Sequence, residues 1–531
     1  MIQKRVESGI ISLVIVFLLM FLAIVLKYYN ITEDKKDIPA AYQRSVVEIT
    51  ADVGQGTIYD RNMIPLVNTE KYQYAAIVPS AVDKNEIMRY AADKADFSDN
   101  YESGEPFVFK CTDVPPESEG VTVFEIPERY NGYQLAQHIV GYISDGTGVS
   151  GLEYAYDKVL RGNSGENKVT YYADGFGRVL IGDGKTVQRS SVYESGIVTT
   201  LDSRIQKICE KYGSSIDKGA IVCADVETGD ILALASFPGY SYNEIDAALE
   251  DERSPLINRA LYSYGVGSIF KLVTACEGIS EGNDGYLYSC TGETEIDGQQ
   301  FRCHKYDGHG LQDMMQAMTE SCNTYFISLS RSFDIVKYRD LAASLGFGRE
   351  NFLCSGITGS AGVLPTVDEL AVPAELANFS FGQGKLTATP LQITQLACTI
   401  AGDGKMPVLN LIKGITIDGL TVENEKPSQI SCVIDEKIAQ QLKLMMISAV
   451  INNESSNAQT ENTTVGAKTS TAQTGRFDEE GNEYCHGWIT GFFPAYKPKY
   501  VLTVLVEDGG YGNDVAAPVF RKIADEISAI S

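Results

Sequence analysis

Gly265-Val-Gly-Ser268-Ile-Phe-Lys271-Leu-Val-Thr-Ala275 is the stretch on which the reading of this chain turns. Two glycines permit a tight approach of the backbone, and an apolar run then begins that reads as a buried helix. On such a helix Lys271 lies one turn below Ser268, on the same face. A serine above a buried lysine is a nucleophile above a base. Two further polar motifs follow in order, Ser321-Cys-Asn323 and Lys468-Thr469-Ser470-Thr471. They add a second hydroxyl with an amide to relay and orient, and a strand to hold a carboxylate. That set suffices for acyl transfer through a serine ester without histidine.

Each motif alone is weak. Ser215-Ile-Asp-Lys218 is a second Ser-x-x-Lys, Ser241-Tyr-Asn243 a second Ser-x-Asn, and Lys185-Thr186 a second Lys-Thr. Context separates them: Ser215 has an aspartate between itself and its lysine, and no apolar run follows.

The three motifs in this order resemble the class B penicillin-binding proteins, membrane-anchored peptidoglycan D,D-transpeptidases, and the resemblance covers nearly the whole chain. Gly56-Thr-Ile-Tyr-Asp60-Arg61-Asn62 is similar to the family's early "RGxIxDRNG" segment. His138-Ile-Val-Gly141-Tyr142 and Gly151-Leu-Glu153-Tyr resemble the stretch before the catalytic domain, and Leu201-Asp202-Ser-Arg-Ile-Gln206 and Gly219 to Gly229 resemble its start. Phe381-Gly382-Gln383-Gly384 with Thr389-Pro390-Leu391-Gln392 is similar to the "GQG…TPLQ" block, and Gly487-Trp488 with Gly491-Phe-Phe-Pro494 to the "WFxGxxP" strand.

The resemblance implies an α+β protein with the penicillin-binding transpeptidase fold: an antiparallel sheet flanked by helices, plus an all-helical subdomain. A β-rich N-terminal pedestal and one transmembrane helix would precede it. The expected boundaries are a cytoplasmic tail over 1–8, an anchor over 9–27, a non-catalytic pedestal over 28–190 and a transpeptidase domain over 191–531. The length of 531 residues suits two or three domains.

The anchor also has its own support. Gly9 to Leu26 is apolar except for Ser12, and at about 1.5 Å per residue it crosses most of a ~30 Å hydrocarbon core. A cleaved signal would end in small residues, whereas Leu26 is followed by Lys-Tyr-Tyr-Asn. Lys4 and Arg5 precede the segment and Lys27, Lys35 and Lys36 follow it, so charge leaves its orientation open. The family implies a catalytic body outside the cell. Net charge of −26 argues against nucleic-acid binding, since no basic stripe is available for phosphates.

Of the eleven cysteines, Cys223, Cys276 and Cys398 sit in apolar runs and read as buried thiols. Cys290 and Cys303 bracket a loop and are the expected pair if a disulfide forms. Cys303-His304 and His309 suggest a metal, but Cys-x-x-Cys spacing is missing and no metal or cofactor is expected.

Carried onto this chain, the family's mechanism makes Ser268 the nucleophile and Lys271 its base, with Lys468 as a second cation that lowers the Lys271 pKa. Ser321 would relay a proton and Asn323 would hold Lys271 and the substrate amide. Thr469 and Thr471 share a strand face that would bind the carboxylate of a D-Ala-D-Ala stem peptide. The backbone N–H groups of Ser268 and Thr471 would form the oxyanion hole. β-Lactams would acylate the same serine, and a SEDS-family glycan polymerase would be the membrane partner. Ser470 stands where the family has glycine; strand parity puts it on the Lys468 face, where it presses on whatever packs behind the strand. A D,D-carboxypeptidase with water as acceptor, and a non-catalytic scaffold or β-lactam sensor, are the alternatives. A Ser-His-Asp hydrolase is disfavoured, because the Gly-x-Ser-x-Gly elbow fails at Phe270.

Overall fold

The computed structural model describes residues 2–33, 46–162, 165–174, 176–182, 184–190, 192–242, 244–425 and 427–530. Lys35, Lys36 and Asn243, used in the sequence reading, lie outside them. A helix runs Ile2–Glu33. Within it Gly9–Tyr29 is 21 residues of mean hydropathy 3.2, with none of the span buried. That length gives roughly 31 Å of helix, enough to cross a bilayer.

The described chain divides into two compact units. The smaller comprises Met1–Gln55, Glu70–Glu128 and Asn163–Val192, and the larger Gly56–Thr69, Arg129–Gly162 and Tyr193–Ser531. The smaller unit is β-rich beyond its helix. Strands Phe107–Lys110, Glu70–Ile77 and Val121–Glu128 form one sheet, and Val46–Val53, Glu166–Tyr172 and Lys185–Gln188 another.

The single cut expected at 190/191 thus gives way to an interleaved division. The reason is hydrophobic. Ile58, Leu66, Val67, Ile139, Val140, Leu152 and Leu160 belong to the same core as Ile269 and Phe270 beside Ser268. The early segment also has a polar anchor. The buried Asp60 carboxylate accepts from the N–H groups of Asn62 and Ser203, at 2.7 and 3.1 Å. Strand Thr57–Tyr59 pairs in parallel with Gly196–Thr199.

The larger unit is built on a five-stranded antiparallel sheet. In chain order its strands are Gly219–Asp225 (β1), Ile231–Phe237 (β2), Gly466–Phe477 (β3), Glu483–Phe493 (β4) and Tyr500–Val506 (β5). Their spatial order is β2-β1-β5-β4-β3, so β3, which carries the third motif, is an edge strand. β1, β2 and β5 are almost wholly buried, which explains their unbroken apolar runs. The closing helix Ala517–Ile530 packs Val519, Phe520, Ile523 and Ile527 into the core shared with β1, β2 and β5.

The Thr389-Pro-Leu-Gln392 segment starts helix Pro390–Ala401. Thr389 caps it, Pro390 takes the first turn and Gln392 closes a capping box. Gln392 Nε2 also donates to the carbonyls of Gly346, Arg349 and Ala361. Thr394 Oγ1 donates to Thr503 Oγ1 at 2.9 Å and so ties this wholly buried helix to β5. Helices Met314–Thr319, Asn323–Ser330, Ile335–Ser344 and Pro373–Ser380 make the helical part.

Candidate active site

Ser268 lies in a 3₁₀ turn, Gly267–Phe270, that passes directly into helix Lys271–Ser280. The Lys271 N–H donates to the carbonyls of Ser268 and Ile269. In a 3₁₀ turn residues three apart eclipse, which aligns Ser268 with Lys271 more closely than the α-helix expected from sequence. Behind the turn, Phe270 packs against Phe379 and Phe347 with ring centroids 4.6 and 5.2 Å apart. Ser268 itself is half-buried.

Three consecutive backbone groups before Ser268 are fastened from elsewhere in the chain. Trp488 Nε1 donates to Gly265 O at 3.1 Å, Ser470 Oγ donates to Val266 O at 2.8 Å, and Gly267 N donates to Gly382 O at 2.8 Å. Gly267 is required on two counts. Its φ is +60°, and a Cβ there would lie 2.4 Å from Ser470 Oγ and 2.9 Å from Thr471 O. Gly382 comes equally close on the other side, where a Cβ would meet Gly267 O at 2.1 Å.

Lys271 is fully buried, and its Nζ donates to Ser321 O at 2.6 Å, Asn323 Oδ1 at 2.7 Å and Ser321 Oγ at 3.2 Å. Lys468 Nζ reaches the same hydroxyl, at 3.0 Å from Ser321 Oγ, and also donates to Thr469 O. Ser321 Oγ therefore sits between two lysine amines. Its backbone is left-handed, with φ +55°, which is uncommon for a residue with a side chain. Asn323 opens helix Asn323–Ser330, and its Nδ2 donates to Arg302 O at 3.0 Å.

Burial pushes the Lys271 amine down to about 8. Lys468 is pushed down to about 7, by burial first and by the charge of Lys271 second. Burial is thus the leading cause at both amines, and repulsion between two such neighbours acts on both members of the pair.

On β3, Lys468 and Ser470 are buried while Thr469 and Thr471 are half-buried, as the alternation of a strand requires. Thr471 Oγ1 accepts from Gly512 N at 3.2 Å, and Gln383 Nε2 lies 3.5 Å from Thr471 O. Ser470 thus does more than press on its surroundings: its hydroxyl holds the turn that carries Ser268. Gln383, Gly382 and Trp488 were not among the candidate site residues. Their signal lay in the GQG and Trp-containing segments, which gave no hint of where they would dock.

The decoy pairs stand elsewhere. Ser215 is exposed and donates to Tyr212 O, and Lys218 Nζ lies 3.4 Å from Asp508. Lys185 donates to Ser118 O, Val121 O and Thr122 Oγ1 in the smaller unit.

All eleven cysteines are free thiols, so Cys290 and Cys303, the pair expected if a disulfide forms, are not joined. Both thiols instead face His309 Nδ1, at 3.5 and 3.4 Å.

Residues 219–525 match the penicillin binding protein transpeptidase domain family. The chain belongs to this family. Among relatives of this penicillin-binding transpeptidase is stage V sporulation protein D of Bacillus subtilis, 26% identical over 513 residues, 88% of this chain and 77% of the relative. Another is the peptidoglycan D,D-transpeptidase MrdA of Acinetobacter baumannii, 26% identical over 78% of this chain and 68% of the relative. Solved structures with the same fold include the D,D-transpeptidase domain from Eggerthella lenta, with TM-score 0.66, 22% identity, and 90% of this chain and all of that one covered. Penicillin-binding protein 2 of Helicobacter pylori, solved in complex with MreC, aligns with TM-score 0.67 and 21% identity over 92% and 99% of the two chains. The chain is a serine-type transpeptidase of the class B group.

Proposed function

We propose that this transpeptidase cross-links peptidoglycan stem peptides through an acyl-enzyme on Ser268. The observation that carries the reading is the environment of Lys271. It is a wholly buried amine, lowered to about 8, one 3₁₀ turn from a half-buried serine and fixed by Ser321 and Asn323. An amine so lowered is neutral often enough near neutral pH to take a proton.

In the first step Ser268 Oγ attacks the carbonyl carbon of the D-Ala-D-Ala bond while its proton passes to Lys271. The backbone N–H groups of Ser268 and Thr471 stabilise the oxyanion. The tetrahedral species then collapses, the C–N bond breaks, and terminal D-Ala leaves with a proton delivered through Ser321. Ser321 is suited to this because its hydroxyl is in hydrogen-bond reach of both lysines. Thr469 and Thr471 bind the terminal carboxylate. An amine from a neighbouring stem attacks the ester carbonyl, the C–O bond to Ser268 Oγ breaks, the amine's proton returns to Ser268 Oγ through Lys271, and the new amide is the cross-link. β-Lactams acylate Ser268 by the same first step, the ring C–N bond breaking in place of the peptide bond.

The Gly9–Tyr29 span serves as a single-pass anchor, and the catalytic unit lies outside the membrane. A SEDS-family glycan polymerase is the membrane partner that supplies glycan strands.

The test is incubation of the full chain with a D-Ala-D-Ala stem peptide and an amine acceptor. Release of D-Ala together with a cross-linked dimer is expected. D-Ala release with hydrolysed stem as the sole product would instead make it a carboxypeptidase.

A further inference from the structure

Beside the active site, four side chains that the acyl-transfer reading does not use converge on one point. Cys290 ends strand Tyr288–Cys290, Cys303 follows strand Gln299–Arg302, His309 precedes strand Gly310–Gln312, and Cys322 is the middle residue of the second motif. Their ligand atoms all lie within 4.8 Å of one another, and this is the one such group among the described residues. Cys290 Sγ and Cys303 Sγ lie 3.5 and 3.4 Å from His309 Nδ1, and Cys303 Sγ lies 3.9 Å from Cys322 Sγ.

Those separations have a geometric meaning. A tetrahedral zinc with bonds of ~2.3 Å to sulfur and ~2.0 Å to nitrogen spaces its ligands about 3.8 Å apart between sulfurs and about 3.5 Å between sulfur and nitrogen. A disulfide needs ~2.05 Å between sulfurs, far shorter than the Cys303–Cys322 separation. Three thiols and one imidazole, soft and borderline donors with no carboxylate among them, select zinc over calcium or magnesium.

The surroundings are those of a built site. The His309 side chain is buried, and its other ring nitrogen, Nε2, lies 3.6 Å from Glu320 Oε2, the kind of partner that orients a ligating histidine. Thr324 Oγ1 donates to Cys290 Sγ at 3.1 Å. Gly292 and Gly308 have φ of +97° and +80°, and a Cβ on Gly308 would lie 2.3 Å from Cys290 O. The loops that deliver Cys290, Cys303 and His309 therefore pass closer than side chains allow.

The geometry points to a structural zinc site formed by Cys290, Cys303, His309 and Cys322, which fixes the second catalytic motif in place. With four protein ligands the site is closed and takes no part in the chemistry as a Lewis acid. Its effect runs through Cys322. A metal bond there pins the backbone between Ser321, held at φ +55°, and Asn323, the two residues that grip Lys271. The ligand-bearing strand Gln299–Arg302 is joined to the same place, because Arg302 O accepts from Asn323 Nδ2. Bound as thiolates, the three cysteines are also kept from oxidising.

The test uses the full chain in detergent, purified without chelator or added reductant. Elemental analysis is expected to find one zinc per chain, kept in Cys485→Ser and lost in Cys303→Ser. Because Cys303→Ser could misfold, the unmutated chain is also stripped with chelator and titrated with Co2+ alone. Thiolate-to-cobalt charge-transfer bands with intense tetrahedral d–d bands are expected. Stripping should slow acylation by penicillin about tenfold or more, the usual scale for loosening a metal site's support, and zinc should restore it. A chain without zinc that gives no cobalt–thiolate bands overturns the site, as does a Cys290–Cys303 disulfide found by non-reducing peptide mapping. Zinc that is bound but whose removal leaves acylation unchanged overturns the positioning role. Whether Ser268 is acylated at all is read separately by peptide mass, so failure of the metal site and failure of the acyl-enzyme reading are distinguishable.

Discussion

Ser215 and Lys218 are spaced as Ser268 and Lys271 are, yet the two pairs meet opposite fates. Ser215 is exposed at the end of a helix, its hydroxyl spent on Tyr212 O, and Lys218 is offset by Asp508. Lys271 is wholly buried with no carboxylate in hydrogen-bond reach among the described residues, and the turn carrying Ser268 is held at three successive backbone groups. A lysine that is desolvated gives up its proton more readily, as at Lys271. The spacing is common to both, and burial is what sets them apart.

The sharpest way to break this comparison is at the serines. Ser268→Ala is expected to abolish labelling by fluorescent penicillin, while Ser215→Ala leaves it intact. Next comes the base. Lys271→Arg keeps the charge but cannot be neutral, and acylation should fall by at least ~10²-fold, the low end for loss of a general base. In the unmutated chain the neutral fraction of Lys271 drops as pH falls below about 8. The second-order acylation rate should therefore rise with pH through that range and level off above it. A rate flat from pH 6 to 9, or an active Lys271→Arg, would remove the lysine from the mechanism.

Smaller effects sharpen the role of the turn. Gly267→Ala forces a Cβ to within 2.4 Å of Ser470 Oγ at φ +60°. Acylation should slow by about tenfold or more, each factor of ten being ~1.4 kcal/mol in the barrier. Ser470→Gly removes one hydrogen bond to Val266 O and leaves the backbone path intact. Its acylation rate should stay within about tenfold, or ~1.4 kcal/mol, and Thr471→Val should cost more. If Ser470→Gly proves the more damaging of these two, the hydroxyl faces substrate and the assignment of strand faces is reversed.

Much of this was legible in the sequence because periodicity carries it. The apolar run after Ser268, the alternation along Lys468–Thr471 and the unbroken apolar strands all report local burial. Contacts between segments far apart were not legible. Nothing in Trp488, Gly382 or Ser470 announces that each holds one link of the 265–267 backbone. Nor does any spacing rule unite Cys290, Cys303, His309 and Cys322, which come from four separate segments. The interleaving of residues 56–69 and 129–162 with the catalytic unit escaped for the same reason: their apolar residues look like any core until their partners are known.

The central claim is that burial, not spacing, selects the reacting serine. It is tested most directly by treating the full chain with penicillin G and locating the covalent adduct by peptide mass fragmentation. The expected result is one adduct per chain, on Ser268 in the peptide that ends at Lys271. An adduct on Ser215 or on any other residue, or no covalent adduct at all, would contradict the account.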